Sequence, residues 1–212
     1  MWSNAEEVRK IIGLKPDDVT DQELEFYIDM AQKEIRDQIS VYIFEEDLTG
    51  DIDGKNTTFT TKHYPIADSN FDLVVNASDI EIYKWGDSSS FDTRETVSVS
   101  TLYWDRGMIV LSEAPASTYD VIRCNYYYYP RIFDLNRLRR ITALLAGYYY
   151  IRSELLLVPK TWAHGAYRFA KGEPLEQLLN DYYRELETII GKDHIKKEHD
   201  TITILRDEVD VE

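Results

Sequence analysis

The apolar positions between residues 19 and 43 predict one long amphipathic helix. Apolar side chains recur there every three or four residues, at Leu24, Ile28, Ala31, Ile35, Ile39 and Tyr42. This spacing places them on one face of an α-helix, and Thr20 followed three residues later by Glu23 predicts a capping box at its start. Because a helix with a single apolar stripe gains most of its stability from packing, we expect it to contact other helices in a core.

Three other segments, residues 3–12, 134–156 and 174–190, have the same helical periodicity. In the first of them, Ser3 and Glu6 have the spacing of a second capping box. The segment at 134–156 has an apolar stripe that matches the stripe of the long first helix in length. We therefore expect these two helices to pack against each other in the core of a small bundle.

The period changes to about two between residues 57 and 129, which predicts β-strands. The tripeptide Asp105-Arg106-Gly107 predicts a short hairpin loop, because glycine adopts a positive φ at little cost. The candidate strands are residues 57–60, 80–85, 96–104, 108–111 and 119–129. Together they have the size of a small antiparallel β domain, of a sandwich or barrel-like type.

The order of these elements predicts an α+β fold. Residues 1–43 and 132–191 would form the helical bundle, and residues 44–131 a β domain inserted between its second and third helices. Insertions are tolerated best at exposed loop tips, so a β domain looped out of a bundle is the simplest topology. Residues 192–212 would form an extended C-terminal arm.

The predicted arm carries one short apolar segment among charged residues, namely Thr201, Ile202, Thr203, Ile204 and Leu205. A lone strand leaves its backbone donors and acceptors unpaired, so we expect these five residues to bind the sheet edge of another chain. Two alternatives remain open, because the arm is poor in apolar surface. It stays disordered throughout, or it folds back on its own β domain.

The composition bears mainly on partners. The formal net charge of −15 argues against a free DNA-binding module, because such modules neutralise phosphates with basic patches. An acidic wall beside DNA would instead let the DNA slide past by like-charge repulsion. Sixteen tyrosines favour protein–protein contacts. Residues 1–7 have no signal-peptide pattern. The sequence also contains no apolar run of about 18 residues, which a membrane span would require.

No residue pattern in the chain predicts a catalytic, cofactor or metal site. Asp47, Asp51 and Asp53 lie in an acidic loop whose spacing fails the EF-hand rule. His194 and His199 are five residues apart, whereas two ligands on one helix face are four apart. The chain contains no GxSxG, Walker or Rossmann pattern. Its single cysteine makes an internal disulfide impossible and fits a reducing compartment. We therefore expect the protein not to be an enzyme and to need no cofactor.

Several segments resemble the head–tail connector, or adaptor, proteins of tailed phages. Residues 8–14 (VRKIIGL) followed by 21–39 resemble the short and long helices that open those proteins. Residues 138–149 (LRRITALLAGYY) are similar to their next helix, in which small residues and tyrosine alternate. The stretches 53–60 and 65–68 are similar to phrases common in phage structural β domains. The predicted β insertion is a departure from the smallest members of the family.

The resemblance implies a structural virion protein of the phage neck, assembled in the host cytoplasm. It implies a homo-oligomer, a dodecameric ring that joins the portal protein to a downstream tail or neck protein. DNA would pass through the lumen of this ring without sequence-specific binding. The arm would then bind the portal or a neighbouring subunit through residues 201–205.

Two competing functions fit the same sequence. In the first, the β domain is a binding module of a phage tail or baseplate that recognises a glycan or a host surface. Such a module predicts a monomer or trimer with exposed aromatic side chains on one β face. The second is an enzyme whose site has no familiar pattern.

Overall fold

The computed structural model describes residues 1–86, 94–157 and 173–191. These residues form four helices and seven strands, an α+β fold as predicted. The helices are α1 (Ala5–Ile12), α2 (Asp21–Ile39), α3 (Asn136–Leu157) and α4 (Glu173–Ile190). The strands are β1 (Val41–Asp47), β2 (Thr58–Thr60), β3 (Ile80–Trp85), β4 (Glu95–Thr96), β5 (Val99–Tyr103), β6 (Met108–Leu111) and β7 (Val121–Tyr128).

The predicted capping box of α2 is confirmed. The Thr20 side chain accepts a hydrogen bond from the backbone N–H of Glu23, and the Glu23 carboxylate accepts one from the N–H of Thr20. The box predicted for α1 is wrong by one residue, because the helix begins at Ala5 and Asn4 is its N-cap. Asn4 Oδ1 accepts from Glu7 N at 2.9 Å, so Glu7 occupies the position that Glu6 was expected to hold.

The prediction that α2 runs to residue 43 is also wrong. The helix ends at Ile39, and Ser40 adopts an extended conformation with its hydroxyl donating to the Arg36 carbonyl at 2.7 Å. The chain then continues directly as β1, where Tyr42 lies opposite Tyr127 of β7. Tyr42 satisfies the helical spacing of the stripe, but aromatic and β-branched side chains also favour strands, and pairing with β7 decides between the two.

The helical core contains the buried side chains of all four helices. Ile28 and Ile35 of α2 and Leu138, Ile141 and Leu145 of α3 are fully buried in one cluster. The packing expected between these two helices is therefore confirmed.

The strands form two antiparallel sheets that share a second apolar core. One sheet has the order β1-β7-β3-β4, and the other has the order β2-β6-β5. The second core contains Phe59, Ile82, Ile109, Leu111, Ile122 and Cys124. Both sheets are open in the described residues, so the barrel-like alternative is not formed there.

All seven described strands lie between α2 and α3 in the sequence. Residues from that region nevertheless pack in the helical core: Ala67 and Tyr129 are buried there, and Phe71, Leu73 and Tyr127 pack against it. A hydrogen bond of 2.7 Å from Trp2 Nε1 to Asp68 Oδ2 also joins the chain start to this region. The domain boundaries at residues 43–44 and 131–132 stay a prediction.

Candidate interaction surfaces

Within residues 1–86, 94–157 and 173–191, no group of three or more histidine, cysteine, aspartate or glutamate side chains could hold a metal ion. None of the described helices is both long enough and apolar enough to cross a membrane.

Cys124 packs as a small apolar residue. It lies fully buried in β7, opposite Glu46 of β1 on one side and Ile82 of β3 on the other. Burial raises the pKa of the thiol, and the charge of Glu46 raises it further. A thiol held in its protonated form is a poor nucleophile, which argues for a structural role.

Glu46, His63 and Tyr126 are three titratable side chains that lie near one another. Tyr126 donates its hydroxyl hydrogen to Glu46 Oε1 at 3.0 Å, and Lys62 N donates to the same oxygen at 2.7 Å. His63 Nε2 lies 3.7 Å from Glu46 Oε2, too far for a hydrogen bond. The buried Glu46 carboxylate therefore links the segment after β2 to β7 through hydrogen bonds. These contacts indicate a structural role for Glu46.

A cleft of about 430 Å³ lies between α1, α3 and α4. Its walls combine apolar side chains with residues of both charges: Lys10, Ile11, Ile12, Arg140, Leu144, Ile151, Gln177, Leu178 and Asp181. Arg140 is already engaged by Glu185, whose carboxylate lies 3.3 Å from its Nε. Asp181 is likewise paired with Arg184, so two of the three charged residues that line the cleft already have partners in the protein.

Two large apolar side chains project from the outer face of α2. Phe26 is 61% exposed and Met30 is 42% exposed, and their spacing of four residues places them side by side. The Phe26 ring contacts the Tyr27 ring edge-to-face at 5.3 Å. We call Phe26 and Met30 the α2 face. An exposed apolar pair on a helix whose other side is a core suits contact with another protein.

A second exposed apolar surface lies on β1, which ends the four-stranded sheet. Val41, Tyr42 and Phe44 are all exposed, and Phe44 is exposed by 62%. Among the described strands, β1 pairs with β7 alone, so its other side has no strand partner. We call residues 41–44 the β1 edge.

The β1 edge is held firmly on its paired side. Tyr42 lies against Tyr127 with ring centroids 4.8 Å apart, and burial together with the charge of Glu81 raises the pKa of the Tyr42 hydroxyl. A β-bulge follows, because the register shifts between Ile43 and Glu46. The bulge limits the regular part of β1 to its first few residues.

The bulge itself is fixed by side chains of β7. Glu45 has a φ of 51°, and its backbone N–H donates to Asn125 Oδ1 at 2.8 Å. Arg123 places its guanidinium between two carboxylates, at 2.6 Å from Asp47 Oδ1 and 3.8 Å from Glu45 Oε2. The far end of β1 is therefore acidic but internally paired, whereas residues 41–44 carry no charge.

Comparisons with known proteins supply no relative. No protein-family model matches the chain, and neither a curated protein nor a solved structure matches it.

The partner-binding residues predicted from the sequence are Thr201, Ile202, Thr203, Ile204 and Leu205, which lie outside the described residues together with the rest of the predicted arm. Sequence reasoning did not single out the α2 face or the β1 edge. The sequence does contain a signal for the α2 face, since Phe26 and Met30 are apolar residues on the otherwise polar side of the helix. The exposure of β1 depends on strand order, which the local sequence does not contain.

Proposed function

We propose that the protein is a structural component of a tailed-phage virion, a head–tail adaptor. Copies of the chain would form a ring that joins the portal to the tail and surrounds the DNA exit channel. The resemblance of the sequence pattern to phage adaptor proteins suggests this function. The arrangement of a four-helix core with a β region between α2 and α3 fits it.

The observation that carries the proposal is the α2 face. Phe26 and Met30 are exposed on a helix whose opposite side is fixed in the bundle core. A rigid apolar surface of this kind favours burial against a second copy, since removing apolar area from water stabilises association. The surface belongs to the bundle, the part of the chain that the resemblance assigns to the ring.

The charge of the chain is compatible with a DNA channel. With a net charge of −15, the surface of a ring would repel the phosphate backbone. DNA would then pass without being held, which a passive conduit requires.

A mass measurement tests the proposal. We expect the chain to form a ring, alone or on addition of the portal protein, in native mass spectrometry. Replacing Phe26 and Met30 by aspartate should lower the yield of assembled rings at least tenfold, because each carboxylate would have to be buried at the contact. The matched control is Val74→Asp, which adds a charge at a similarly exposed apolar position in a loop and should leave assembly unchanged.

The same experiment distinguishes the adaptor from the competing recognition module. A monomer or trimer that ignores the portal protein would refute the adaptor proposal and favour a recognition module. The exposed aromatic residues Tyr42 and Phe44 would then be the first candidates for a glycan platform. Loss of glycan binding in Tyr42→Ala, with the fold intact, would support that module.

A further inference from the structure

The β1 edge lacks the features with which proteins usually protect an outer strand. Residues 41–44 (VYIF) contain no lysine, no arginine and no proline, the residues that commonly discourage strand addition. Three of the four side chains are exposed. The strand is nevertheless well ordered, because Val41, Tyr42 and Ile43 are each paired with a β7 residue. An ordered, uncharged and apolar sheet edge is suited to accepting a further strand.

The length of the open edge is short and well defined. It begins after Ser40, which caps α2, and it ends at the bulge formed by Phe44 and Glu45. An added strand of about four or five residues would fill it. Residues 201–205 (TITIL) form an uninterrupted apolar and β-branched segment of this length, flanked by charged residues on both sides.

The last described residue, Gly191, lies beside the side chain of Arg131, which follows β7 by three residues. Gly191 stops α4 with a φ of 82°, and a Cβ built there would lie 2.6 Å from Arg131 Nη1. Arg131 follows Tyr128 by three residues, and Tyr128 is the β7 residue opposite Val41. From Gly191, the ten residues that lead to Thr201 can extend over at most about 33–36 Å. Residues 201–205 can therefore bind an acceptor that lies within this distance of Gly191.

The charges flanking both segments favour one direction of pairing. The β1 edge is followed by Glu45 and Asp47, and it is preceded by Arg36 on the last turn of α2. The arm segment is preceded by Asp200 and followed by Arg206. Parallel addition would place Arg206, the first charged residue after the arm segment, nearer to Glu45 and Asp47.

We propose that residues 201–205 of one copy add as a strand, parallel to β1, to the β1 edge of the neighbouring copy. The inference rests on the proposed ring and names the contact that links its subunits. Donor and acceptor are different surfaces of the same molecule, so each copy gives one strand and receives one. Such head-to-tail contacts close into rings when the rotation between subunits permits it.

A complementation experiment with full-length chains tests the contact. One variant carries Val41→Lys and Phe44→Lys, which leave the arm intact and spoil the edge. The other carries Ile202→Lys and Ile204→Lys, which spoil the arm and leave the edge intact. Each variant alone should assemble at least tenfold less than wild type. A 1:1 mixture should form a dimer that neither variant forms alone. In that dimer, the intact arm of the edge variant binds the intact edge of the arm variant.

A peptide provides a second measurement that does not depend on ring formation. The peptide of residues 198–208 is added to the arm variant, and amide hydrogen exchange is followed by mass spectrometry. We expect slower exchange at residues 41–44 with this peptide and unchanged exchange with a scrambled one. The peptide carrying Arg206→Glu should bind several-fold more weakly.

The outcomes separate this inference from the function on which it rests. A wild-type chain that never assembles, with or without the portal protein, refutes the adaptor proposal. Rings that form undiminished in both lysine variants keep that proposal and overturn the strand contact. Variants that fail alone and also fail when mixed, with peptide protection at residues 41–44, indicate that each arm binds the edge of its own subunit, and that result overturns the exchange between copies.

Discussion

At the scale of single residues, the carboxylate of Asp68 is a buried charge that accepts four hydrogen bonds. This fully buried group accepts hydrogen bonds from Trp2 Nε1 and from the backbone N–H groups of Phe71, Asp72 and Leu73, at 2.7 to 3.2 Å. Phe71 and Leu73 both have a φ of 67°, a left-handed conformation that is strained for residues with side chains. The bonds to Asp68 offset this strain and hold the loop against the chain start.

Replacing Asp68 by asparagine should therefore destabilise the protein by about 2–3 kcal/mol. The asparagine amide would turn one acceptor into a donor that faces other donors, and it would remove the charge that strengthens the remaining bonds. Urea unfolding measures the change in free energy. The control is Asp72→Asn, because Asp72 is exposed and its side chain accepts from Val74 N at 2.8 Å. Equal losses in the two variants would contradict this account of Asp68.

At the scale of elements, the approach of α1 to α3 depends on a glycine. A Cβ built on Gly147 would lie 2.6 Å from Ile12 Cγ2, well inside van der Waals contact. Glycine within a helix costs roughly 0.5–1 kcal/mol relative to alanine, so its presence in α3 needs a reason. Close packing of the two helices supplies that reason.

This packing predicts that the effect of Gly147→Ala on the free energy of unfolding changes sign when Ile12 is shortened. Gly147→Ala alone should lower the free energy of unfolding by about 1 kcal/mol, because overpacking outweighs the gain in helix propensity. In a background carrying Ile12→Ala, which removes the opposing Cγ2, the same substitution should raise it. A double-mutant cycle followed by urea unfolding measures both effects. If Gly147→Ala stabilises the protein in both backgrounds, the contact with Ile12 does not limit the approach.

The elements also indicate how far the sequence alone could lead. The strand predicted at residues 80–85 is β3 with the same bounds, because period-two alternation is a local property of the chain. The end of α2 was missed because Tyr42 fits both the helical stripe and a strand, and its partner Tyr127 is 85 residues away. The β1 edge and the Trp2–Asp68 bond depend on long-range pairing in the same way, which residue periodicity cannot predict.

At the scale of the whole molecule, the two cores are joined by more than the covalent chain. Tyr129, which follows β7, is buried in the helical core. The guanidinium of Arg36 lies over the rings of Phe71 and Tyr127, with its Cζ at 5.3 and 4.6 Å from their centroids. The Trp2–Asp68 bond adds a third link. These contacts couple the helical core to the region that bears the sheets.

We therefore expect the two cores to unfold in a single cooperative transition. Far-UV circular dichroism, which reports mainly the helices, and hydrogen exchange at β3 and β7 amides should give the same midpoint in urea. Loss of protection in β3 and β7 at a lower urea concentration, while the helical signal persists, would indicate two separable units. Arg36→Met removes the cation over both rings and should make any such separation larger.

The burial of Cys124 has a practical consequence for labelling chemistry. It is the only cysteine in the sequence, and its sulfur lies inside the core shared by the two sheets. A maleimide reagent can therefore reach it only when that core opens, so the alkylation rate in the native state reports the opening of the β region. A second cysteine placed on an exposed position would react alone on a short timescale. Fluorophores or spin labels can thus be attached at one chosen surface site without first removing the native thiol.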